Sequence, residues 1–351
     1  MIKPSPSIEY LQYPPIYVQR EVAIGKRLVI LAEADDGEFY DPVLVYSKDM
    51  AIDFFGGGAL VQAYEDTSTF QKGLHVYLMR IEPFGYETAF SVLESFDFDL
   101  LFLSEVHFND NREVIDQFLE FARVKEEKGN LIHGIATLSS SIKGYADLVP
   151  LFESIQEMAK DVGDEVYETG KYLSIVVNQM ESKDAGAVYA GLLASIEPEV
   201  SPINKTIPDV SLAFEFSKEE ILKLRSIGIV CFKNTFKKGI TCTSSSCAVS
   251  TEGSVHKHIS NFRIAQYIIN QVASELRPFI GMPNILYQIH NIEDIIESIC
   301  IENMVEASRI RDFDYSVEVD ELYGIVDVKI ELVPIFSVHS MTTHSRVRIF
   351  K

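Results

Sequence analysis

The chain has 351 residues, of which 47% are hydrophobic and 24% are charged, and its formal net charge at pH 7 is −21. This composition is typical of a folded globular protein and excludes collagen-like, low-complexity and wholly disordered chains. The negative charge repels nucleic-acid phosphates, which argues against a dedicated DNA-binding protein. At roughly 150 residues per domain, the length predicts about two domains, or one large domain with attachments.

No stretch of the sequence approaches the roughly 20 apolar residues that a membrane span requires, and the first ten residues lack the basic and apolar regions of a signal peptide. We therefore expect folding in a cytoplasm without membrane insertion. None of the four cysteines has the C-x-x-C spacing of a zinc site, and a reducing compartment predicts free thiols.

The first twenty residues predict an extended arm, because they contain four prolines, which lack backbone donors and break helices. A short strand is expected near residues 16–20, which include Ile16, Tyr17 and Val18. The arm has no core of its own, so it must lie on another part of the protein or on another subunit.

Apolar runs predict several strands before residue 82. The runs at 28–32 and 43–46 predict paired strands, and the run at 74–81 predicts a buried strand. Residues 47–55 have helical spacing. The predicted inward residues of this helix are Met50, Ile52 or Phe54.

The middle third alternates between strands and helices. Apolar runs of strand length are found at 100–106, 131–136 and 172–177, and each is followed by helical spacing. Asn109 or Asp110 can serve as the N-cap of the first of these helices. The alternation predicts a parallel sheet with helices on its faces.

The last third predicts helices at 217–226, 261–275 and 292–308, the first with a capping box formed by Ser217 and Glu220. Period-two alternation then predicts half-buried strands near the chain end. Their apolar residues are Val326, Val328, Ile330 and Leu332, followed by Val347 and Ile349.

Together these elements predict a mixed α/β fold with four parts. We expect an extended N-terminal arm at residues 1–20, a parallel α/β domain at 21–205, an α+β core domain at 206–325 and a C-terminal strand arm at 326–351.

Candidate catalytic and metal-binding residues are few. Glu105 and His107 follow a predicted parallel strand, where such sheets carry ligand sites, but no nucleophile or phosphate loop accompanies them. His256 and His258 lack a third metal ligand nearby, and the glycines at 56–58 follow a helix, which predicts a turn. We therefore predict no catalytic site, metal or cofactor, and keep a flavodoxin-like α/β enzyme or small-molecule binding protein as the alternative.

Opposite charges cluster in two segments. Residues 233–263 contain five cations and one acid, whereas residues 153–168 contain six acids and one lysine. These segments are either two solvated faces or complementary surfaces that meet a partner or a neighbouring copy.

Strands at both chain ends would expose unpaired backbone groups, unless each is donated to the sheet of another subunit. If each copy donates to one neighbour and receives from another, the contact is head-to-tail and builds an open helical polymer. The residues that we assign to these inter-subunit strands are Ile16, Tyr17, Val18, Val326, Val328, Ile330, Leu332, Val347 and Ile349.

Four stretches also carry a likeness to a known family. They are GEFYDPVLVYSKDMAIDFFGGGAL at 37–60, KGLHVYLMRI at 72–81, DAGAVYAGLLASIEPEVSPINKTI at 184–207, and the region 313–350 with its Val333-Pro334. In this order they resemble the tail sheath proteins of contractile phage tails and of related injection machines such as tailocins.

The resemblance implies a structural, non-enzymatic subunit. Copies would stack as hexameric rings in a helical homopolymer around an inner tube. They would turn nearly as rigid bodies on contraction, driving the tube through a cell envelope and, in a phage, allowing genome ejection. The implied partners are further copies, the tail tube protein, and the baseplate and tail terminator proteins, without direct nucleic-acid binding. The implied location is a virion tail or tail-like particle assembled in the host cytoplasm. Candidate tube-facing residues are Lys257, Arg263, Gln266 and Asn270.

Deletion of residues 345–351 is expected to leave a soluble monomer that cannot polymerise, because it removes a donated strand. Sedimentation of the truncated and full-length chains measures this difference. Normal assembly by the truncated chain would contradict the exchange of the C-terminal strand.

Overall fold

The computed structural model describes residues 22–158, 161–162, 165–166, 169–250, 254–280, 285–320 and 325–335. The predicted strand residues Ile16, Tyr17, Val18, Val347 and Ile349 lie outside this part of the chain.

The strands are β1 (Leu28–Ala32), β2 (Val43–Val45), β3 (Val76–Arg80), β4 (Leu100–His107), β5 (His133–Thr137), β6 (Asp161–Val162), β7 (Glu165–Val166), β8 (Leu173–Val176), β9 (Ile229–Val230), β10 (Phe232–Thr235), β11 (Gly239–Cys242), β12 (Ile310–Asp320) and β13 (Ile325–Pro334). The α-helices are α1 (Lys48–Phe55), α2 (Ala59–Thr67), α3 (Tyr86–Leu93), α4 (Arg112–Glu127), α5 (Tyr145–Leu148), α6 (Phe152–Glu157), α7 (Ala185–Ser195), α8 (Lys218–Ser226), α9 (Ile259–Leu276) and α10 (Ile285–Ile301), the last continued by a π-helical turn at Glu302–Glu306.

Seven strands form one sheet in the order β2-β3-β1-β4-β5-β8-β9. Six of them are parallel, and β2 runs antiparallel to β3. Because β3 lies between β1 and β2, the prediction that residues 28–32 and 43–46 pair with each other is wrong. All five residues of β1 are buried, and a parallel neighbour on each side satisfies the backbone groups of this strand.

Helices cover both faces of this sheet. Gly134 and Ile135 are consecutive in β5 and therefore point to opposite faces, with Thr137 on the face of Ile135. A Cβ built on Gly134 would lie 2.4 Å from the Phe118 ring of α4, whereas a Cβ on Gly186 of α7 would lie 2.6 Å from Thr137 Cγ2. The two helices thus pack on opposite faces, which confirms the predicted parallel sheet between helical layers.

Small residues allow α7 to lie in the interior. Ten of its eleven residues are buried, and a Cβ on Gly191 would lie only 1.9 Å from the carbonyl oxygen of Thr67 in α2. The helix begins at Asp184, whose carboxylate accepts hydrogen bonds from the backbone N–H groups of Gly186 and Ala187 at 2.7 and 3.2 Å. The predicted close packing of this helix on a neighbour is confirmed.

The buried face of α1 differs from the prediction. Ala51 and Phe55 are buried, whereas Ile52 and Phe54 are 40% and 43% exposed. The cause is local, since Gly37 leaves room for the Phe55 ring, and a Cβ at this glycine would lie 2.8 Å from the ring. The helix therefore turns its last residue towards the core.

The hydrophobic core has a large part around the sheet and a smaller part beneath the hairpin β12–β13. Helix α9 belongs to both, because Ile259 and Phe262 join the large part and Ile264 and Ile268 join the small one. The sheet itself continues past residue 205, since β9 is its edge strand. Helix α9 thus connects the sheet to the hairpin β12–β13.

Substitution Gly191→Ala is expected to destabilise the protein by about 3 kcal/mol, because the added methyl group would collide with the backbone of α2. Urea unfolding measures the loss. The matched control is Gly144→Ala, where an added Cβ has no neighbour within 4 Å, and we expect a change below about 1 kcal/mol. Equal stability of the two variants would contradict this packing.

Candidate functional site

Strands β12 and β13 form a long antiparallel hairpin. The register of β12 and β13 runs from Ile310 opposite Pro334 to Asp320 opposite Ile325. In β13 half-buried residues alternate with exposed ones, which confirms the half-buried strand predicted from the alternation. The apolar cross-strand pairs are Phe313 with Leu332, Tyr315 with Ile330, Val317 with Val328, and Val319 with Val326.

A pair of helices forms the floor under this hairpin. The inward side chains of both strands pack on apolar residues of α9 and α10. The floor residues are buried, but the inward residues of β13 keep part of their surface exposed to solvent. The helix pair is therefore covered, whereas the inward face of the hairpin is covered incompletely. The floor residues are Ile264, Ile268, Val272, Ile292, Ile296 and Ile299.

Each strand of the hairpin has one open edge. Within the described residues, β12 and β13 form a sheet of two strands, so each pairs only with the other. The strands are eleven and ten residues long. A long edge of unpaired N–H and C=O groups is a template for another strand, and the hairpin can accept one strand on each side.

Three of the four candidate tube-facing residues lie in the interior. Arg263, Gln266 and Asn270 are at most 3% exposed. Their spacing does place them on one face of α9, but this face packs against the sheet. The burial leaves no surface for a tube to contact, which corrects the prediction. Lys257 is half-buried, and its ammonium group donates to the carbonyl oxygen of Ser226 at 2.8 Å.

The buried polar face of α9 holds the carboxylate of Asp99, which directly precedes β4 and is completely buried. The carboxylate accepts hydrogen bonds from Arg27 Nε and Nη2, both at 2.8 Å, and from Asn270 Nδ2 at 2.9 Å. Gln266 Nε2 donates to the carbonyl oxygens of Asp99 and Leu131 at 2.6 and 3.1 Å. These bonds fix α9 to the beginning of β1 and β4.

Arg263 extends the network through backbone carbonyls. Its Nη2 donates to the carbonyl oxygens of Gly25 and Ile196 at 3.1 and 3.0 Å. Burial lowers the pKa of Arg263 to about 10, because the charged form loses its hydration. The guanidinium group therefore stays cationic at neutral pH and ties two loops to α9.

The sequence contains a signal for this network that hydrophobic periodicity does not reveal. Arg27 and Asp99 each stand directly before an apolar run. The two runs are neighbouring parallel strands with Leu28 opposite Leu100, which places the preceding charges side by side. An acid and a cation at matching positions before two buried strands predict such a pair.

The candidate catalytic residues Glu105 and His107 lie in the last three residues of β4. Glu105 is exposed and has a positive φ of 62°. The backbone N–H of His107 donates to Asn111 Oδ1 at 2.9 Å. Asn111 is the N-cap of α4, which corrects the predicted Asn109 or Asp110. These contacts give the segment a structural role.

The remaining motifs fit structural roles as well. Gly56 has φ 68° and ends α1, as predicted for a turn. Among the residues with described positions, no cluster of three or more His, Cys, Asp or Glu side chains is arranged to hold a metal ion. None of the described helices combines the length and apolarity needed to span a bilayer.

Substitution Asp99→Asn is expected to cost about 3 kcal/mol of stability, because it removes the buried charge that pairs with half-buried Arg27 and turns one acceptor into a donor. The free energy of urea unfolding measures this loss. Asp116→Asn is the control, since Asp116 pairs with Arg112 on an exposed helix surface, and we expect less than about 1 kcal/mol there. A small effect at Asp99 would contradict its central place.

The solved structures of similar fold include sheath and baseplate chains, whereas no family model and no curated protein matches the sequence. A chain of the anti-feeding prophage baseplate aligns with a TM-score of 0.71 at 10% identity, covering 99% of this chain and 100% of that one. The sheath complex of the extracellular contractile injection system PVC, in its contracted state, aligns with a TM-score of 0.69 at 11% identity over 96% and 98%. The sheath tail protein of Listeria innocua aligns with a TM-score of 0.67 at 11% identity over 91% and 94%. Over nearly its whole length, the chain therefore has the fold of contractile sheath proteins.

Proposed function

We propose that the chain is the sheath subunit of a contractile injection apparatus. Copies polymerise helically around an inner tube, and the polymer contracts to drive the tube through the envelope of a target cell. The observation that carries this proposal is the end-to-end likeness of the fold to chains of such assemblies, which covers 91% or more of both partners in each comparison. The function is structural, and no cofactor takes part.

The open hairpin edges support assembly by strand exchange. Residues 326–332 lie in β13, which pairs with β12 of its own chain, so we assign the hairpin the role of acceptor. The donated strands are then those around Ile16–Val18 and Val347–Ile349. An edge filled by a neighbour's strand would also cover more of the half-exposed apolar face, which favours association.

The interior of the subunit supports movement as a rigid body. The Asp99 network joins α9 to the sheet by buried hydrogen bonds, and α9 shares a core with the hairpin. The body can therefore turn as a unit while the terminal arms keep neighbours connected.

The partners follow from this role. We propose further copies of the chain in stacked hexameric rings, a tail tube protein, and the baseplate and tail terminator proteins at the two ends of the polymer. The likeness to a chain of the anti-feeding prophage baseplate supports contact with a baseplate. The location is a virion tail or a phage-tail-like particle.

Negative-stain microscopy of the purified full-length protein tests the proposal. We expect tubes or stacked rings, because the open edges and the donated strands are present in each copy. Discrete particles at all protein concentrations would contradict polymerisation and would favour a monomeric binding protein or enzyme.

A synthetic peptide of residues 341–351 tests strand exchange separately. Added in excess, it is expected to reduce the sedimentable polymer, because it occupies the hairpin edge that a neighbour's strand would fill. A scrambled peptide of the same composition is the control. Equal amounts of polymer with both peptides would contradict exchange of this strand and leave polymerisation itself intact.

A further inference from the structure

The small hairpin β10–β11 exposes an aromatic ring among lysine side chains. Phe236, in the turn between β10 and β11, is 88% exposed. Lys237 and Lys238 beside it are exposed, and Lys233 precedes it in β10. No acidic residue occurs between positions 233 and 251. We call Phe236 with these three lysines the basic tip.

The basic tip stands on a well-formed turn. The backbone N–H of Lys238 donates to the carbonyl oxygen of Thr235 at 2.9 Å, and the hydroxyl groups of Thr235 and Thr241 lie 2.8 Å apart across the two strands. Lys237 Nζ lies 5.6 Å from the centre of the Phe236 ring. An ordered turn that exposes a large ring loses little conformational entropy when the ring is buried in a contact.

A cleft of opposite character lies on α10. Its volume is about 600 Å³, and Ile301 and Val305 contribute an apolar surface to it with exposures of 42% and 66%. Residues 278–308 contain five acids and no lysine or arginine. We call this cleft the acidic groove. The residues that line it are Asp294, Glu297, Ser298, Ile301, Glu302, Val305 and Glu306.

The negative field of the acidic groove reaches the neighbouring hairpin. Burial raises the pKa of the Tyr315 phenol, and the negative charges of Glu297, Glu293 and Asp294 raise it further. These carboxylates lie on one helix without a lysine or arginine in its sequence, so a positive partner would gain from all of them together.

We propose that the basic tip of one copy docks into the acidic groove of a neighbouring copy, with the Phe236 ring on Ile301 and Val305 and the lysines beside the carboxylates. Both surfaces are exposed in the single chain, so they do not cover each other within it. The net charge of −21 disfavours nucleic acid as the occupant of the basic tip. A second copy offers both the charge and the apolar surface that the tip requires.

A contact between the basic tip and the acidic groove can build a polymer. The tip and the groove are different surfaces of one chain, so the contact is heterologous and each copy can use both at once. The docking rests on the proposed polymerisation but not on strand exchange, because it uses neither edge of β12–β13. Since the lysines and carboxylates are exposed, added salt is expected to weaken the contact.

Cysteine crosslinking tests the contact directly. All four native cysteines are buried, so new exposed thiols can be modified selectively. In polymers of the double variant Phe236→Cys and Val305→Cys, a short bismaleimide is expected to give a covalent ladder on a denaturing gel. The matched control pairs Val305→Cys with Phe84→Cys, since Phe84 is also an exposed phenylalanine, at 90%, and this pair is expected to give no ladder.

Charge reversal supplies a second readout. Lys237→Glu with Lys238→Glu is expected to raise the protein concentration needed for polymerisation by at least about tenfold. Adding Glu302→Lys and Glu306→Lys to the same chain is expected to restore assembly. All four side chains are exposed, and unchanged thermal unfolding of the variants shows that folding is not the cause.

The outcomes separate the two proposals. A ladder together with charge rescue supports the docking. If the protein polymerises but the thiols introduced at positions 236 and 305 are not linked and stay reactive in the polymer, the docking is wrong and the sheath function stands. If the wild-type protein forms no polymer, the proposed function fails and the docking fails with it.

Discussion

Burial of the Asp99 carboxylate beneath α9 costs a large desolvation free energy, which its hydrogen bonds must offset. The donors are Gly25 and Arg27 before β1 and Asn270 on α9, so the offset is complete only when strand and helix are both in place. The position of α9 in turn determines where the floor of the terminal hairpin lies. One buried charge therefore couples the large sheet to the surface through which we propose that subunits assemble.

The sheet and the hairpin, which the Asp99 network couples, differ in how completely they are buried. The sheet is covered by helices on both faces, and its strands β1, β5 and β8 are completely buried. The hairpin is half-covered and has two free edges within the described part of the chain. In the assembly that we propose, the subunit folds around its sheet, and strands of neighbouring subunits complete the hairpin. Such a division suits a protein whose body must keep its shape while its contacts are rearranged.

Most of the parallel sheet could be predicted from the sequence, because its strands are continuous apolar runs and its helices have clear periodicity. The order of strands could not, since the insertion of β3 between β1 and β2 depends on contacts between distant residues. The burial of one polar face of α9 could not be predicted, because Arg263, Gln266 and Asn270 are residue types that are common on surfaces. Periodicity does not distinguish a solvated polar side chain from one that is hydrogen-bonded in the interior. At the candidate site the alternation of β13 was visible. Its partner β12 has the same alternation from Phe313 to Val319, but this segment directly follows a helical pattern, which obscures the start of the strand.

A hairpin of two strands has a mechanical consequence. Within the described residues it offers two edges. A subunit that also donates two arms, as we propose, would form at most four strand pairings with its neighbours. When such a pairing is pulled along its strands, many hydrogen bonds bear the load together and none can open singly. Tension in a polymer built from these strand pairings would pass from subunit to subunit through backbone hydrogen bonds. Such a polymer could change its diameter without losing its inter-subunit contacts.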